Sequence, residues 1–241
     1  MELSQAPVVI MAGGLGTRIR EKVPGVPKPM IPFAGKPFLY YKVAQLQEAG
    51  FKKLILTIGY LGEKIQEYFG DGSDLDLEIE YSIEIEPLGT GGGLKQVASL
   101  ISSPFFMINA DTYYELDWQD VGNFYATAGT PHLMMLTRPV NPGQEGTVVL
   151  DEEGTIVEFA EKAPDYQDKL INGGVYLLDP AIFEQIPEGK CSIEKNIFPL
   201  LAEERSMKGY FYDGYFIDIG TPDFYEKFQR DIKSRRLKQF K

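Results

Sequence analysis

Apolar and polar positions change period several times along this chain, and each change marks an element. Val8–Met11 is a continuous apolar run closed by glycines, the pattern of a short strand buried on both faces. Phe38–Ala49 has helical spacing instead, with Pro37 at its first turn and Gly50 just past its end. Leu54–Ile58 returns to a strand pattern, Gly62–Phe69 to a short helix and Ile79–Ser82 to a strand. Gly91–Leu100 then reads as a helix and Phe105–Asn109 as a strand. This β-α-β-α-β-α-β order predicts a largely parallel sheet with helices on both faces and the loops after its strands on one edge.

The second half is richer in strands and less regular. His132–Thr137, Gly146–Leu150 and Thr155–Phe159 read as antiparallel, with Asp151, Glu152, Glu153 and Gly154 as a hairpin turn. Gly174–Leu178 is a further strand, and Ile193–Glu203 a helix capped by Ser192. Tyr215–Ile217 is a short strand. Thr221, Pro222 and Asp223 open a last helix with a cap, a first-turn proline and a first-turn acid. Phe224, Phe228 and Ile232 then fall on one stripe, and Lys233, Arg235, Arg236 and Lys238 form a solvated basic end. No repeat or flexible linker interrupts the pattern, so one domain over residues 1–241 is expected.

Composition narrows the partners. The 241 residues are 44% hydrophobic and 24% charged, ordinary for a globular chain. The net charge of -11 argues against nucleic acid or an anionic membrane as partner, so an anionic ligand must be met by local positive groups and metal. No window reaches about 18 apolar residues, and the N-terminus has no basic leader pattern, so a cytoplasmic location is expected. Cys191, the one cysteine, reads as a small buried thiol, and His132, the one histidine, as a structural residue in an apolar strand. Oligomeric state stays open, homo-oligomer included, with the aromatics of Tyr210–Tyr215 as an interface or a site edge.

The stretch after the first strand carries the chemistry. Gly13, Gly14 and Gly16 are followed by Thr17 and Arg18, then by Pro27, Lys28 and Pro29. A P-loop would need G-x-x-x-x-G-K-[ST], which is absent; a dinucleotide fingerprint would need glycine where Ile19 stands. What remains is backbone N–H groups free to approach an anion, Arg18 able to fork onto phosphate oxygens, and Lys28 held between prolines as a point charge. Asp111, after the strand Phe105–Asn109, and Asp218, after Tyr215–Ile217, are carboxylates of the kind that suit a hard cation sharing phosphate oxygens.

Together these elements resemble the signature of the sugar-nucleotide pyrophosphorylases, nucleotidyltransferases that join a sugar 1-phosphate to a nucleoside triphosphate. The likeness runs through Glu86-Pro87-Leu88-Gly89-Thr90-Gly91-Gly92, Asn109-Ala110-Asp111, Glu161-Lys162, Asn172-Gly173-Gly174 and Phe216-Ile217-Asp218-Ile219-Gly220-Thr221-Pro222, in that order. It is similar in particular to the short guanylyltransferases acting on D-glycero-α-D-manno-heptose 1-phosphate, through YFGDGS, YSIEIEPLGTGG and DGYFIDIGTP. The resemblance implies an α/β, Rossmann-like three-layer α/β/α fold with a mainly parallel mixed central sheet and a small antiparallel sugar-binding subregion. Residues 1–110 would mainly bind nucleotide, and residues 111–241 the sugar phosphate.

The implied reaction is attack of the sugar-phosphate oxygen on the α-phosphorus of GTP, with Mg²⁺ held by Asp111 and Asp218. Arg18 and the loop of Ala12, Gly13, Gly14, Gly16 and Thr17 would hold the departing pyrophosphate, and Lys28 and Lys162 the reacting phosphates. Glu86, Pro87, Gly89 and Thr90 would lie against the base, with the Glu86 carboxylate facing the guanine edge. Asn109, Ala110, Glu161, Asn172 and Gly173 would read the sugar, with Thr147 and Tyr176 as further candidates. Lys36 and Lys95 read as solvated. Alternatives are a mannose-1-phosphate guanylyltransferase, a relative using UTP, CTP or dTTP, and a catalytically silent sugar-nucleotide sensor.

Overall fold

Strand β1 (Val8–Ala12) lies inside a sheet because both of its faces are apolar: Val8 and Ile10 enter one core and Val9 the other, all three fully buried. The structure, a computed structural model, describes residues 1–14, 25–139, 146–161, 170–219 and 222–234. After β1, a hairpin of β2 (Pro32–Phe33) and β3 (Lys36–Pro37) turns through Ala34 and Gly35, both at positive φ, and leads into α1 (Phe38–Glu48). Then come β4 (Lys53–Ile58), α2 (Glu63–Phe69), β5 (Glu78–Ile83), α3 (Gly89–Gln96) and β6 (Phe105–Asn109). β6, β1, β4 and β5 are neighbours in that order and all parallel, so their C-terminal ends share one edge.

The remaining elements are β7 (Thr112–Tyr114), α4 (Trp118–Ala128), β8 (His132–Thr137), β9 (Gly146–Leu150), β10 (Ile156–Glu161) and β11 (Leu170–Leu178). They continue with α5 (Ile182–Gln185), α6 (Phe198–Glu203), β12 (Met207–Phe211), β13 (Phe216–Asp218) and α7 (Pro222–Lys233). β11 joins the sheet antiparallel to β6, with β8 antiparallel on its other side and β12 parallel beyond β8. β9 and β10 form the antiparallel extension, closed by a turn in which Gly154 has φ +79°. The sheet is therefore mixed, parallel through its first-half strands, as the pattern predicts. Alternate strand residues separate two cores: Leu54, Leu56, Phe106 and Ile108 pack with α1, α2 and α4, whereas Ile55, Phe105 and Met107 pack with α3, α5 and α6. That is a three-layer α/β/α arrangement.

The structure differs from the sequence pattern at several elements. α4 was not anticipated, although its end signals are present: the Asp117 side chain accepts from Asp120 N at 3.0 Å and Gly129 closes it at φ +71°. Its interior Gly122, Asn123 and Thr127 weaken the helical pattern, and packing of Trp118 and Val121 supplies what propensity lacks. The expected Ile193–Glu203 helix begins as a π-helical turn, Ile193–Ile197, which Ser192 does cap. β12, the β2–β3 hairpin and β7 are short pairings that periodicity does not reveal. The three tyrosines of Tyr210–Tyr215 are tied into the fold, Tyr210 donating to Asp120, Tyr212 to the Tyr215 carbonyl and Tyr215 to Asp231, while Phe211 is exposed. Among the described residues no helix is long and apolar enough to cross a membrane.

Candidate active site

The parallel strands deliver their last residues to one edge, and a cavity of about 250 Å³ opens there. Its walls are Met11 in β1 with Gly13 and Gly14 after it, Glu84 after β5, Pro87 before α3 with Gly89 and Thr90 in its first turn, and Asn109 at the end of β6 with Asp111 beyond it. Several of these glycines meet close neighbours, though Gly14 stands in open space. A side chain at Gly13 or Gly93 would collide with the Glu84 carboxylate, and Gly89, at φ +74°, would place a Cβ 2.6 Å from the Cys191 carbonyl oxygen.

Asp111 and Asp218 are brought together by β7 and β13. These pair antiparallel with Thr112 opposite Asp218, and Ile219 N donates to the Asp111 carbonyl at 2.9 Å. Pro27, Lys28 and Pro29 form a tight turn that points Lys28 at both carboxylates. Its Nζ donates to Asp111 Oδ2 at 2.5 Å and stands 3.5 Å from Asp218 Oδ1. Burial opposes the charge on Asp111, but Lys28, by charge and hydrogen bond, and Lys42 outweigh it and hold the carboxyl below its usual range. Residues 28, 111 and 218 are far apart in sequence, and the fold gathers them around Asp111, which lines the cavity.

The carboxylate that lines the cavity from the loop before α3 belongs to Glu84. Glu86, expected there from sequence, is exposed and is not among the lining residues. Glu84 Oε2 accepts from Leu88 N at 3.0 Å, and burial raises its pKa against that hydrogen bond. Ile83, Ile85 and Glu86 are exposed while Glu84 turns inward, a difference that strand alternation does not announce, since it would place Glu84 and Glu86 on one face. Thr90, besides lining the cavity, donates to Glu194 Oε2 at 2.6 Å and accepts from Ile193 N at 3.0 Å, which docks the loop on the 191–194 segment.

The expected sugar-side residues are more dispersed. Asn109 lines the cavity, whereas Ala110, like Ala12 of the expected phosphate loop, is buried and does not. Asn172 uses its amide inside the fold, donating to Tyr176 Oη at 2.7 Å and accepting from Gly174 N at 2.9 Å. Gly173 is buried against Met135. Glu161, at the end of β10, faces Lys195 Nζ at 3.6 Å. Lys95 is not free in solvent: it donates to the Phe183 carbonyl at 2.6 Å. Arg18, Lys162, Gly16 and Thr17 lie outside the described residues.

Comparison with known proteins shows the family of the chain. The Nucleotidyl transferase family model matches residues 7–235. The chain belongs to the nucleotidyl transferase family. Among relatives of this nucleotidyl transferase, the D-glycero-alpha-D-manno-heptose 1-phosphate guanylyltransferase of Campylobacter jejuni is 36% identical over 225 residues, 91% of this chain and 97% of that protein. The mannose-1-phosphate guanylyltransferase catalytic subunit beta of Drosophila pseudoobscura is 34% identical over 236 residues, 96% of this chain. The mannose-1-phosphate guanylyltransferase of Mycobacterium tuberculosis is 35% identical over the same share. The chain spans 64% and 66% of those two proteins' lengths. The crystal structure of HddC from Yersinia pseudotuberculosis superposes with TM-score 0.81 at 32% identity, covering 94% of this chain and 99% of HddC. A complex of HddC with GMP-PN gives 0.80. A Bacillus anthracis structure at 18% identity, TM-score 0.86, shares the fold alone.

Proposed function

We propose that this protein is a guanylyltransferase that transfers GMP from GTP to a sugar 1-phosphate and releases pyrophosphate. The observation that carries the reading is the gathering of Lys28 and Asp218 beside Asp111, which itself lines the cavity together with Gly13, Gly14 and Gly89. The GMP-PN complex of HddC and the guanylyltransferase relatives support the base. The relatives point to a manno-configured sugar, with D-glycero-α-D-manno-heptose 1-phosphate first and mannose 1-phosphate second.

A sugar-phosphate oxygen attacks the α-phosphorus, a P–O bond forms, and the bond to the β-phosphate oxygen breaks. The nucleophile is already anionic near neutral pH, so the chain need not supply an activated hydroxyl or thiol. This agrees with His132 and Cys191, both buried and neither lining the cavity. The chain must instead hold several negative charges close together. Lys28 is placed to exchange its carboxylate partners for phosphate oxygens. Gly13 and Gly14 offer backbone that phosphate can approach closely. Glu84 supplies acceptors for the N–H donors of a guanine edge.

The donor set fits a divalent cation. Two carboxylates converge on the same cationic group, Lys28 Nζ, and Mg²⁺ takes one or two carboxylates and completes its shell with water and phosphate. Among the described residues no cluster of three His, Cys, Asp or Glu side chains exists to favour a softer or all-protein site. Mg²⁺ held by Asp111 and Asp218 would supply neutralisation of the α-phosphate. Pyrophosphate release measured for GTP, UTP, CTP and dTTP against heptose, mannose and glucose 1-phosphates tests the reading. GTP with a manno-configured phosphate is expected to lead. Release with no pair, or preference for UTP, overturns it.

A further inference from the structure

Thr90 lines the cavity, yet its hydroxyl is committed on the other side. A hydroxyl has one proton, and that of Thr90 goes to Glu194 Oε2 at 2.6 Å, a length usual for a hydroxyl bonded to a carboxylate. The Thr90 hydroxyl also accepts from Ile193 N at 3.0 Å. Glu194 Oε2 takes a second bond, from Ser192 Oγ at 2.8 Å, and Ser192 Oγ accepts from Lys195 N at 3.3 Å. The side chain that fixes Thr90 is thus itself fixed from within its own turn. That turn, Ile193–Ile197, is π-helical, a rare geometry that occurs disproportionately at functional sites. The transfer described above does not use Glu194.

The contacts continue to the carboxylate proposed to meet the guanine edge. Cys191 N donates to the Leu88 carbonyl at 2.8 Å, and Leu88 N donates to Glu84 Oε2 at 3.0 Å. The 191–194 segment therefore grips the loop on both sides of Gly89. Cys191 grips through backbone, which a side-chain exchange leaves in place, whereas Glu194 grips through its side chain. We propose that Glu194 is a positioning residue for base selection. By holding Thr90 it keeps the Pro87–Thr90 wall in register with Glu84, so that the cavity takes guanine in preference to uracil. Guanine presents two adjacent donors to a bidentate acceptor and loses more from a misplaced wall than uracil, which has a single ring N–H there. This inference rests on the guanylyltransferase reading above.

Calorimetry of GTP and UTP binding to the whole chain, with Mg²⁺ present, tests it. Glu194→Ala should weaken GTP binding about tenfold and UTP binding less than about threefold, with the melting temperature little changed. Glu194→Gln keeps an acceptor for the Thr90 hydroxyl and should stay within about threefold of wild type for both nucleotides. Thr90→Val removes the other partner of the bond. If Glu194 acts through Thr90, the double variant Glu194→Ala/Thr90→Val binds GTP within about twofold of the weaker single variant. Equal weakening of GTP and UTP, unchanged GTP affinity in Glu194→Ala, no rescue by Glu194→Gln, or losses that add in the double variant would each overturn the proposal. Wild-type protein that binds UTP more tightly than GTP overturns the guanylyltransferase reading instead, and the same cycle run on UTP still decides whether Glu194 acts through Thr90. Wild-type protein that binds neither overturns both.

Discussion

Asp111 and Asp218 occupy equivalent places, each at the end of a short strand and each within reach of the same ammonium. Neither caps a helix or fills a core, so their removal should spare the fold. Asp111→Asn and Asp218→Asn are expected to retain the wild-type melting temperature and lose turnover by about 10³-fold or more. Near-wild-type turnover in either variant removes that residue from the site. The two base-loop glutamates separate just as sharply. Glu84→Gln should reduce discrimination between GTP and UTP by at least about tenfold, since an amide mismatches one guanine donor. Glu86→Ala, at an exposed position, should change kcat/KM less than about threefold. The reverse ranking would return the base-reading role to Glu86. Both acids stand in one short motif, and only the direction each side chain takes from β5 distinguishes them.

At the scale of elements, the start of α3 is docked rather than merely folded. Gly91 N and Gly92 N donate to the Cys191 carbonyl at 2.9 and 3.1 Å, and Cys191 N donates to the Leu88 carbonyl at 2.8 Å. Gly89→Ala combines an unfavourable φ with a clash against that carbonyl, and should cost about 2 kcal/mol and raise KM for GTP several-fold. An alanine variant with unchanged melting temperature and KM would show the docking to be dispensable. His132 plays a comparable part for β8 and β11, accepting from Asp179 N at 3.3 Å through Nδ1. Burial lowers its pKa from 6.5 to about 4, against smaller effects of Asp179 and Glu204. Between those pH values the unfolded chain binds a proton that the folded chain refuses, so stability present above pH 6.5 is lost as pH falls toward 4. The melting temperature should drop across this window, and His132→Gln should flatten the drop. An identical slope in the variant would assign the acid sensitivity elsewhere.

For the whole molecule, the site depends on a third core beside the two that sandwich the sheet. Ile31, Phe33, Phe38, Tyr113, Ile217, Ile219 and Phe228 pack together and join the β2–β3 hairpin, β7, β13 and α7. Phe228 is fully buried, with ring centroids of Phe33, Tyr113 and Phe38 at 4.9, 5.1 and 5.4 Å. Because this core carries Lys28 on one side and Asp218 on the other, loosening it should separate them before the main sheet melts. Phe228→Ala is expected to cost about 3–5 kcal/mol. Turnover should be lost at temperatures where circular dichroism still reports an intact sheet. Simultaneous loss of both signals would mean that the three cores unfold as one unit.

The sequence by itself determined the alternating first-half elements, the three-layer class and the identity of most candidate groups. Continuous apolar strands such as Val8–Ala12 are legible from their own pattern, whereas the close neighbour of Gly13, the Glu84 carboxylate, is supplied by the fold. Tertiary structure alone decided which groups meet. Nothing local to Asp111 announces Asp218, because their encounter follows from the pairing of β7 with β13, a contact between positions 107 residues apart (218 − 111). Helix α4 and strand β12 were illegible for the same reason, since packing rather than propensity or period holds them in place. The choice of Glu84 over Glu86, and the commitment of the Thr90 hydroxyl to Glu194, depend on side-chain direction. Direction is set by the neighbours a residue packs against, and a linear string of letters does not contain them.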